Sequence, residues 1–311
     1  MLSKAKAREA WIAEPTRVAH AESGRVVDPR TRRIAYGLSA AVVFLMVVAS
    51  AAGLFIDGLY KDGPWAREAL RGGDLTTLLL AAPILGWSLI LSIRGSLLAR
   101  AAWIGALAYG IYNYAYYVFG AEFNDIFLVH IALLTLSIWA TALTVASLDV
   151  GTVAAAFRVG RAARWVGGFL VLVGSILGGL WVFLAIRFAV TGKLMADIPA
   201  DGIHLVFAID LSLLVPALVV AGVLLWRRTA IGVVFGAVMA VMGGLYQVNL
   251  LVAGVFQANA DVAGAKTFPP EGIVLATGFL LACAVLFGGT IAAGRSERWT
   301  GRPSAPVVTT G

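Results

Sequence analysis

Long apolar stretches constrain this chain more than any other feature of its sequence. Eight of them are 19 to 24 residues long. A bilayer core about 30 Å thick needs roughly 20 apolar residues per helix, because every backbone polar group must be satisfied within the segment. The sequence therefore predicts an all-α fold, a polytopic transmembrane helical bundle. The eight spans are predicted at 34–56, 75–93, 101–119, 126–146, 165–187, 203–226, 229–252 and 272–293.

The composition excludes the other broad classes of protein. Hydrophobic residues make up 60% of the chain and charged residues 13%, whereas a soluble domain carries about 25% charged residues. The single cysteine, Cys283, cannot form an internal disulfide, and no Cys/His cluster has zinc spacing. We therefore expect a polar cytoplasmic segment at 1–33, one eight-helix membrane domain at 34–293 and a flexible cytoplasmic tail at 294–311.

The distribution of basic residues predicts the orientation of the bundle. Eighteen of the 24 Lys and Arg residues fall on one side of the predicted topology and six on the other. The positive-inside rule then places both termini in the cytoplasm, which requires an even number of spans. The formal charge of +7 would attract anionic lipid at that face. A nucleic-acid partner is not expected, since the chain has no basic module interleaved with aromatic residues.

The first span admits a second interpretation, as a cleaved signal peptide. Arg32 and Arg33 precede an apolar run that contains the small-residue triplet 49–51, as in a signal peptide with its cleavage site. The run continues to Ile56 and so reaches full spanning length. We expect an uncleaved helix, and cleavage would leave seven spans.

Small residues and prolines predict how the spans pack and bend. Pro83 and Pro216 lie inside the second and sixth predicted spans and should kink or locally open them. Small residues at every fourth position allow close helix packing, either within the chain or between two copies, and we expect packing within the chain. The seventh predicted span carries them at Gly232, Gly236, Ala240 and Gly244, and the fifth at Gly174 and Gly178.

Polar residues inside the predicted spans concentrate in the external half of the bundle. Ionisable side chains within a membrane are costly and are therefore candidates for function. This asymmetry predicts a polar, aromatic-lined pocket that opens toward the periplasm or the cell exterior. Its predicted members are Asp74, Tyr112, Asn113, Tyr116, Asn124, His130, His204, Asp210 and Gln247.

Several of these residues also have a purely structural interpretation. Asp210 could bind a ligand or a proton, or it could tie helices together through Arg187, His204 or a tyrosine. His130 alone is more often a packed bundle residue than a ligand. The tyrosines of 109–117 could form an interfacial belt, although they point to both faces of a helix.

Part of the chain resembles a family of bacterial multi-pass membrane proteins. The resemblance rests on Arg94-Gly95-Ser96, the stretch YGIYNYAYYVFGAEFN at 109–124 and Phe127-Leu128-Val129-His130, with flanking matches at 73–78 and 208–212. It covers about half the chain. It implies the bacterial cytoplasmic membrane and one constellation of Asp74, Asn113, Asn124 and Asp210, and it implies no activity.

Four functions remain open at this point. Small-molecule or ion transport or binding is the leading prediction, because of the external pocket and the proline in the sixth span. His130 and His204 could instead hold haem or a metal in a redox protein. An intramembrane enzyme with Asp210 or His130 as its base, or a structural or sensory component, are further possibilities. No Walker A, GxSxG, HExxH or Rossmann fingerprint is present, so we predict no catalytic residues and no resident cofactor.

Overall fold

The computed structural model describes residues 29–193 and 200–288, with side chains throughout except at 200–203. The predicted tail 294–311 and residues 1–28 of the predicted N-terminal segment lie outside the described residues. The described part contains helices and no strand, so the all-α prediction is confirmed there.

Nine helices follow one another along the described chain. They are α1 Pro29–Phe55, α2 Pro64–Ile93, α3 Leu97–Phe119, α4 Phe127–Ala146, α5 Val150–Ala156, α6 Ala162–Thr191, α7 (Ala200–Ile209, Asp210–Leu214 and Val215–Trp226), α8 Ala230–Asn259 and α9 Pro270–Gly288. N-cap side chains define where three of the helices begin. The side chains of Ser96, Asp149 and Thr229 accept hydrogen bonds from the first turns of α3, α5 and α8.

Within the described residues, seven helices are long and apolar enough to cross a membrane, so the eight predicted spans are confirmed only in part. The missing one is α3, which has 23 residues but carries Asn113 and the tyrosine run, and these lower its mean hydropathy. The predicted boundaries also shift. The segment predicted as an external loop at 57–74 contains the first turns of α2, which begins at Pro64, and the predicted 147–164 loop contains the short helix α5.

Helices α3 and α8 form the centre of the bundle. In the most apolar 18-residue window of α8, 72% of the residues are buried, against 22–44% in the other six membrane-capable helices. Helix α8 packs against α2, α3, α7 and α9, while α4 packs against α1 and α3, and α6 packs on α7. The outer helices expose large apolar side chains to the surroundings, among them Leu128, Trp165 and Val190, as lipid-facing helices do.

The glycine stripes pack within the chain, as expected. A Cβ added at Gly232 would lie 2.2 Å from the backbone carbonyl carbon of Leu224 in α7, and one at Gly174 would lie 3.0 Å from the Val219 side chain. The backbones of α7 and α8 therefore approach at a distance that only glycine allows. Gly244 has no such contact, since its added Cβ would meet its nearest neighbour at 3.9 Å.

Both intramembrane prolines follow a local opening of their helix. Pro83 comes just after a π turn at Thr77–Ala81, and Pro216 just after a π turn at Asp210–Leu214. A proline ring clashes with the carbonyl four residues earlier and leaves it without a donor, and a wider turn relieves that clash. The prediction that these helices open locally is confirmed.

Candidate functional site

A cavity of about 370 Å³ lies among the first half of α2, the second half of α3, the start of α7 and the second half of α8. The cavity lies at the end of the bundle that carries the α1–α2 and α3–α4 connections, since residues of both connections line it. The basic-residue count predicts this end to be external. Its polar lining consists of Asp62, Asn113, Tyr116, Tyr117, Glu122, Tyr246 and Asn249. We refer to it as the outer cavity.

Asp74 lies behind one wall of the outer cavity. Its side chain is 1% exposed. Tyr60 donates a hydrogen bond to Oδ2 at 2.6 Å, and the Tyr117 hydroxyl lies 3.1 Å from Oδ1 and 2.8 Å from the Leu70 carbonyl. Burial, together with the charge of Asp74, raises the pKa of the Tyr60 phenol, so Tyr60 remains a donor at physiological pH.

A glycine of α1 makes room for this carboxyl group. A Cβ added at Gly53 would lie 1.8 Å from Asp74 Oδ2 and 2.6 Å from the Tyr60 hydroxyl. Since no side chain fits there, the Asp74 carboxyl lies directly against the backbone of α1. Gly53 is thus a part of the site that its sequence context alone does not reveal.

His130 is enclosed by tyrosine rings on the same side of the bundle. It is fully buried, and its ring centroid lies 4.8 Å from that of Tyr117, 6.2 Å from Tyr114 and 6.5 Å from Tyr60. Neither ring nitrogen has a hydrogen-bond partner among the described residues, and the same holds for the Ser137 hydroxyl. Buried polar atoms of this kind are ordinarily satisfied by internal water.

Asp210 forms a second cluster on the opposite side of α3. Its side chain is 2% exposed and stands at the first position of the π turn in α7. Tyr112 donates to one carboxyl oxygen, and Trp181 Nε1 donates to the other at 2.8 Å. The Tyr112 and Tyr116 hydroxyls lie 2.9 Å apart, and the Tyr246 ring packs edge-on against Tyr112 at 4.6 Å.

Neither buried carboxyl group is paired with a cation in the described part of the chain. The ion pairs there join Glu68 to Arg67 and Arg71. Of the structural partners considered for Asp210 in the sequence, the geometry brings it a tyrosine and not Arg187 or His204. Both carboxyl groups are held by hydroxyl or indole donors, which satisfy their oxygens by hydrogen bonds.

The structure distributes the nine predicted pocket residues over several places. Asn113 and Tyr116 line the outer cavity, and the Asn113 Oδ1 atom lies 3.4 Å from Asn249 Nδ2. Asn124 shapes the connection after α3, where it bonds the Glu122 carbonyl and the Ile126 amide. The remaining positions divide between the clusters and the surface. Asp74 and His130 lie in the first cluster, Tyr112 and Asp210 in the second, Gln247 is buried in α8, and His204 is exposed on α7.

Sequence reasoning did not assign several residues that build the site. Tyr60 and Trp181 donate to the two carboxyl groups, while Asp62 and Glu122 line the cavity. A tryptophan inside a membrane helix with a buried N–H needs an acceptor, which was the available signal for Trp181. The tyrosines of α3 point to both of its faces. Because α3 is central, both faces contact protein, so these tyrosines are core residues and not a belt at the lipid surface.

A second cavity, of about 450 Å³, lies toward the other end of the bundle. We refer to it as the inner groove. It is formed by α3, α4, α7 and α8 and reaches Leu148 in the connection after α4 and Val150 at the start of α5. Its lining is apolar apart from Tyr112 and Thr141. Because Tyr112 lines the inner groove and Tyr116 lines the outer cavity, this tyrosine pair lies between the two spaces.

No family model, curated protein or solved structure matches the chain. The resemblance to a bacterial multi-pass family therefore stays a prediction.

Proposed function

We propose that this integral membrane protein binds a small solute in its outer cavity and moves it across the membrane by way of the inner groove. The observation that carries the proposal is the arrangement of the two spaces on either side of one hydrogen-bonded barrier. Tyr116 lines the outer cavity and Tyr112 lines the inner groove. Their hydroxyls are hydrogen-bonded to each other, and the Tyr112 hydroxyl also donates to Asp210.

Helix α7 is suited to bending at the π turn that begins with Asp210. Its π turn begins at Asp210 and is followed by Pro216, so this part of α7 lacks a continuous α-helical hydrogen-bond ladder. Transporters use such interrupted helices at their binding sites, because a break exposes backbone groups and provides a hinge. Helix α2 repeats the combination, with Asp74 shortly before its own π turn and Pro83.

We further propose that α3 also spans the bilayer, which gives eight spans with both termini in the cytoplasm of a bacterial cell. At 1.5 Å per residue its 23 residues extend about 34 Å, which exceeds a bilayer core of about 30 Å. Its tyrosines and Asn113 face protein and not lipid, so a low mean hydropathy does not prevent it from spanning. The basic cytoplasmic face would then contact anionic lipid.

Single-cysteine labelling tests this topology. In a Cys283→Ala background, Arg94→Cys and Phe123→Cys place a thiol in the exposed connections before and after α3. A membrane-impermeant maleimide should label Phe123→Cys in intact cells and Arg94→Cys only after permeabilisation. Labelling of both positions from the same side would refute a spanning α3.

Solute binding is tested with a plugged cavity. Ala69 lines the outer cavity, whereas Ala40 is exposed on α1. A panel of small amines, polyols, amino acids and carboxylates should contain compounds that raise the thermal unfolding midpoint of the purified protein. Ala69→Trp should abolish that rise and Ala40→Trp should retain it. If Ala69→Trp keeps the rise, the outer cavity is not the binding site.

Transport is tested separately, in proteoliposomes. Tyr112→Phe removes the hydroxyl that joins the barrier to Asp210 but leaves the outer cavity's own lining intact. We expect binding of a stabilising solute to change less than about threefold, while its uptake rate changes by tenfold or more. Unchanged uptake in this variant would count against the proposed route between the two spaces.

The redox alternative receives less support from the geometry. His130 lines neither of the two cavities, and three tyrosine rings enclose it, so a haem plane has no space beside it. His204 is exposed. Among the described residues, no group of three or more His, Cys, Asp or Glu side chains could hold a metal ion. An absorbance spectrum of the purified protein tests this alternative, and a Soret band would revive it.

A further inference from the structure

The charge of the outer cavity indicates which solutes it can accept. Asp62 and Glu122 contribute two carboxylates to its lining, and no Lys, Arg or His lines it among the described residues. A concave site lined by carboxylates concentrates cations and repels anions.

The aromatic lining distinguishes an organic cation from a metal ion. Trp65, Tyr116, Tyr117 and Tyr246 all line the outer cavity. Aromatic faces attract alkylammonium ions, which give up their weak hydration readily, and this is how proteins recognise quaternary ammonium groups. A divalent metal ion needs a shell of oxygen or nitrogen ligands, and the described residues hold no group of three or more His, Cys, Asp or Glu side chains that could supply one.

Unpartnered polar atoms of the lining indicate hydrogen-bonding groups on the solute. Asp62 is 6% exposed and its Oδ2 atom has no partner among the described residues, while its Oδ1 atom accepts from the Glu122 amide at 2.9 Å. The Asn249 Oδ1 acceptor and the Asn113 Nδ2 donor, in the lining contributed by α8 and α3, are also unpartnered. A hydroxyl or N–H group next to the cationic centre would satisfy the two acceptors, and a hydroxyl oxygen would also satisfy the Asn113 donor.

We propose that the solute of the outer cavity is a small organic ammonium ion carrying a hydroxyl or N–H donor. This inference rests on the proposed solute-binding function and names its substrate class. The aromatic walls hold the alkylated cationic centre, the carboxylates of Asp62 and Glu122 balance its charge, and the amide of Asn249 accepts from its donor group.

The test compares three probes of nearly equal shape. Choline is a cation, 3,3-dimethyl-1-butanol is its neutral counterpart and 3,3-dimethylbutanoate is an anion. Binding is measured by calorimetric titration of the full-length protein in non-ionic detergent and by the shift of its thermal unfolding midpoint. We expect choline to bind at least about tenfold more tightly than the alcohol, and the carboxylate not to bind.

Variants that remove one carboxylate test whether the preference for choline depends on Asp62. Asp62→Asn keeps the Oδ1 acceptor for the Glu122 amide but removes the charge, and it should weaken choline about tenfold while the alcohol is unaffected. Asp125→Asn removes an exposed carboxylate from the same connection as Glu122 without touching the cavity, and it should change neither. Correct folding of each variant is checked by its unfolding midpoint without probe.

Each outcome bears on the inference in a defined way. If the alcohol or the carboxylate binds as well as choline, the cationic substrate class is wrong while the solute-binding function stands. If none of the three probes binds, the inference is overturned. The solute panel with the Ala69→Trp variant then decides separately whether the cavity binds any solute.

Discussion

Replacing Gly53 with alanine tests the packing of the buried Asp74 carboxyl directly. The added Cβ would lie 1.8 Å from Asp74 Oδ2, and real Cβ atoms essentially never come closer than 3.0 Å to another heavy atom. The carboxyl oxygen must therefore move by at least 1.2 Å, the difference between these distances. That movement breaks the 2.6 Å hydrogen bond that Tyr60 donates to this oxygen. The Tyr60 hydroxyl itself lies only 2.6 Å from the added Cβ, so it cannot move along with the carboxyl group.

The expected cost combines two effects. Loss of a buried hydrogen bond to a carboxyl group costs about 1–3 kcal/mol, and forcing an extra carbon into a packed interior costs about 1–3 kcal/mol. Gly53→Ala should therefore lower the free energy of unfolding by about 2–6 kcal/mol. The assay is equilibrium unfolding by SDS in mixed micelles, followed by tryptophan fluorescence.

A matched glycine of the same helix is the control. Gly37 is exposed in α1, and a Cβ added there meets nothing within 4 Å. Gly37→Ala should be neutral or stabilising by up to about 1 kcal/mol, since alanine is the better helix former. In an Asp74→Ala background, Gly53→Ala should lose a large part of its cost. If Gly53→Ala costs no more than Gly37→Ala, Asp74 does not lie against the α1 backbone.

Two further predictions use matched pairs from the same helix. Trp181→Phe removes the indole donor to Asp210 and should lower the free energy of unfolding by about 1–3 kcal/mol, whereas Trp165→Phe, at a position 84% exposed, should change it by less than about 0.5 kcal/mol. Gly232→Ala should cost about 1–3 kcal/mol because its Cβ meets the α7 backbone, whereas Gly244→Ala should stay within about 1 kcal/mol. Equal effects within either pair, measured by the same SDS titration, would contradict the packing described.

The site could be predicted in part, for reasons that differ between residues. Asp74 and Asp210 stand out in the sequence because a carboxyl group in an apolar span is costly, and Tyr112 and Asn113 stand out as polar residues inside a predicted span. Tyr60 does not stand out, since a loop tyrosine is common, and the need of the Trp181 N–H for an acceptor does not say which residue accepts. Only the approach of α1 to α2, and of α6 to α7, makes them partners of the two carboxyl groups.

The sequence by itself determined the all-helical architecture, the location of seven apolar spans and the two proline-associated openings. These features follow from local physical chemistry, because lipid forces each segment to satisfy its own backbone and proline affects its own helix. The tertiary structure decided that α3 is central, that Asp74 and Asp210 lie in separate clusters, and that a tyrosine pair separates two cavities. Such features depend on which helices meet, and small residues such as Gly53 and Gly232 set that contact through close approaches between two helices.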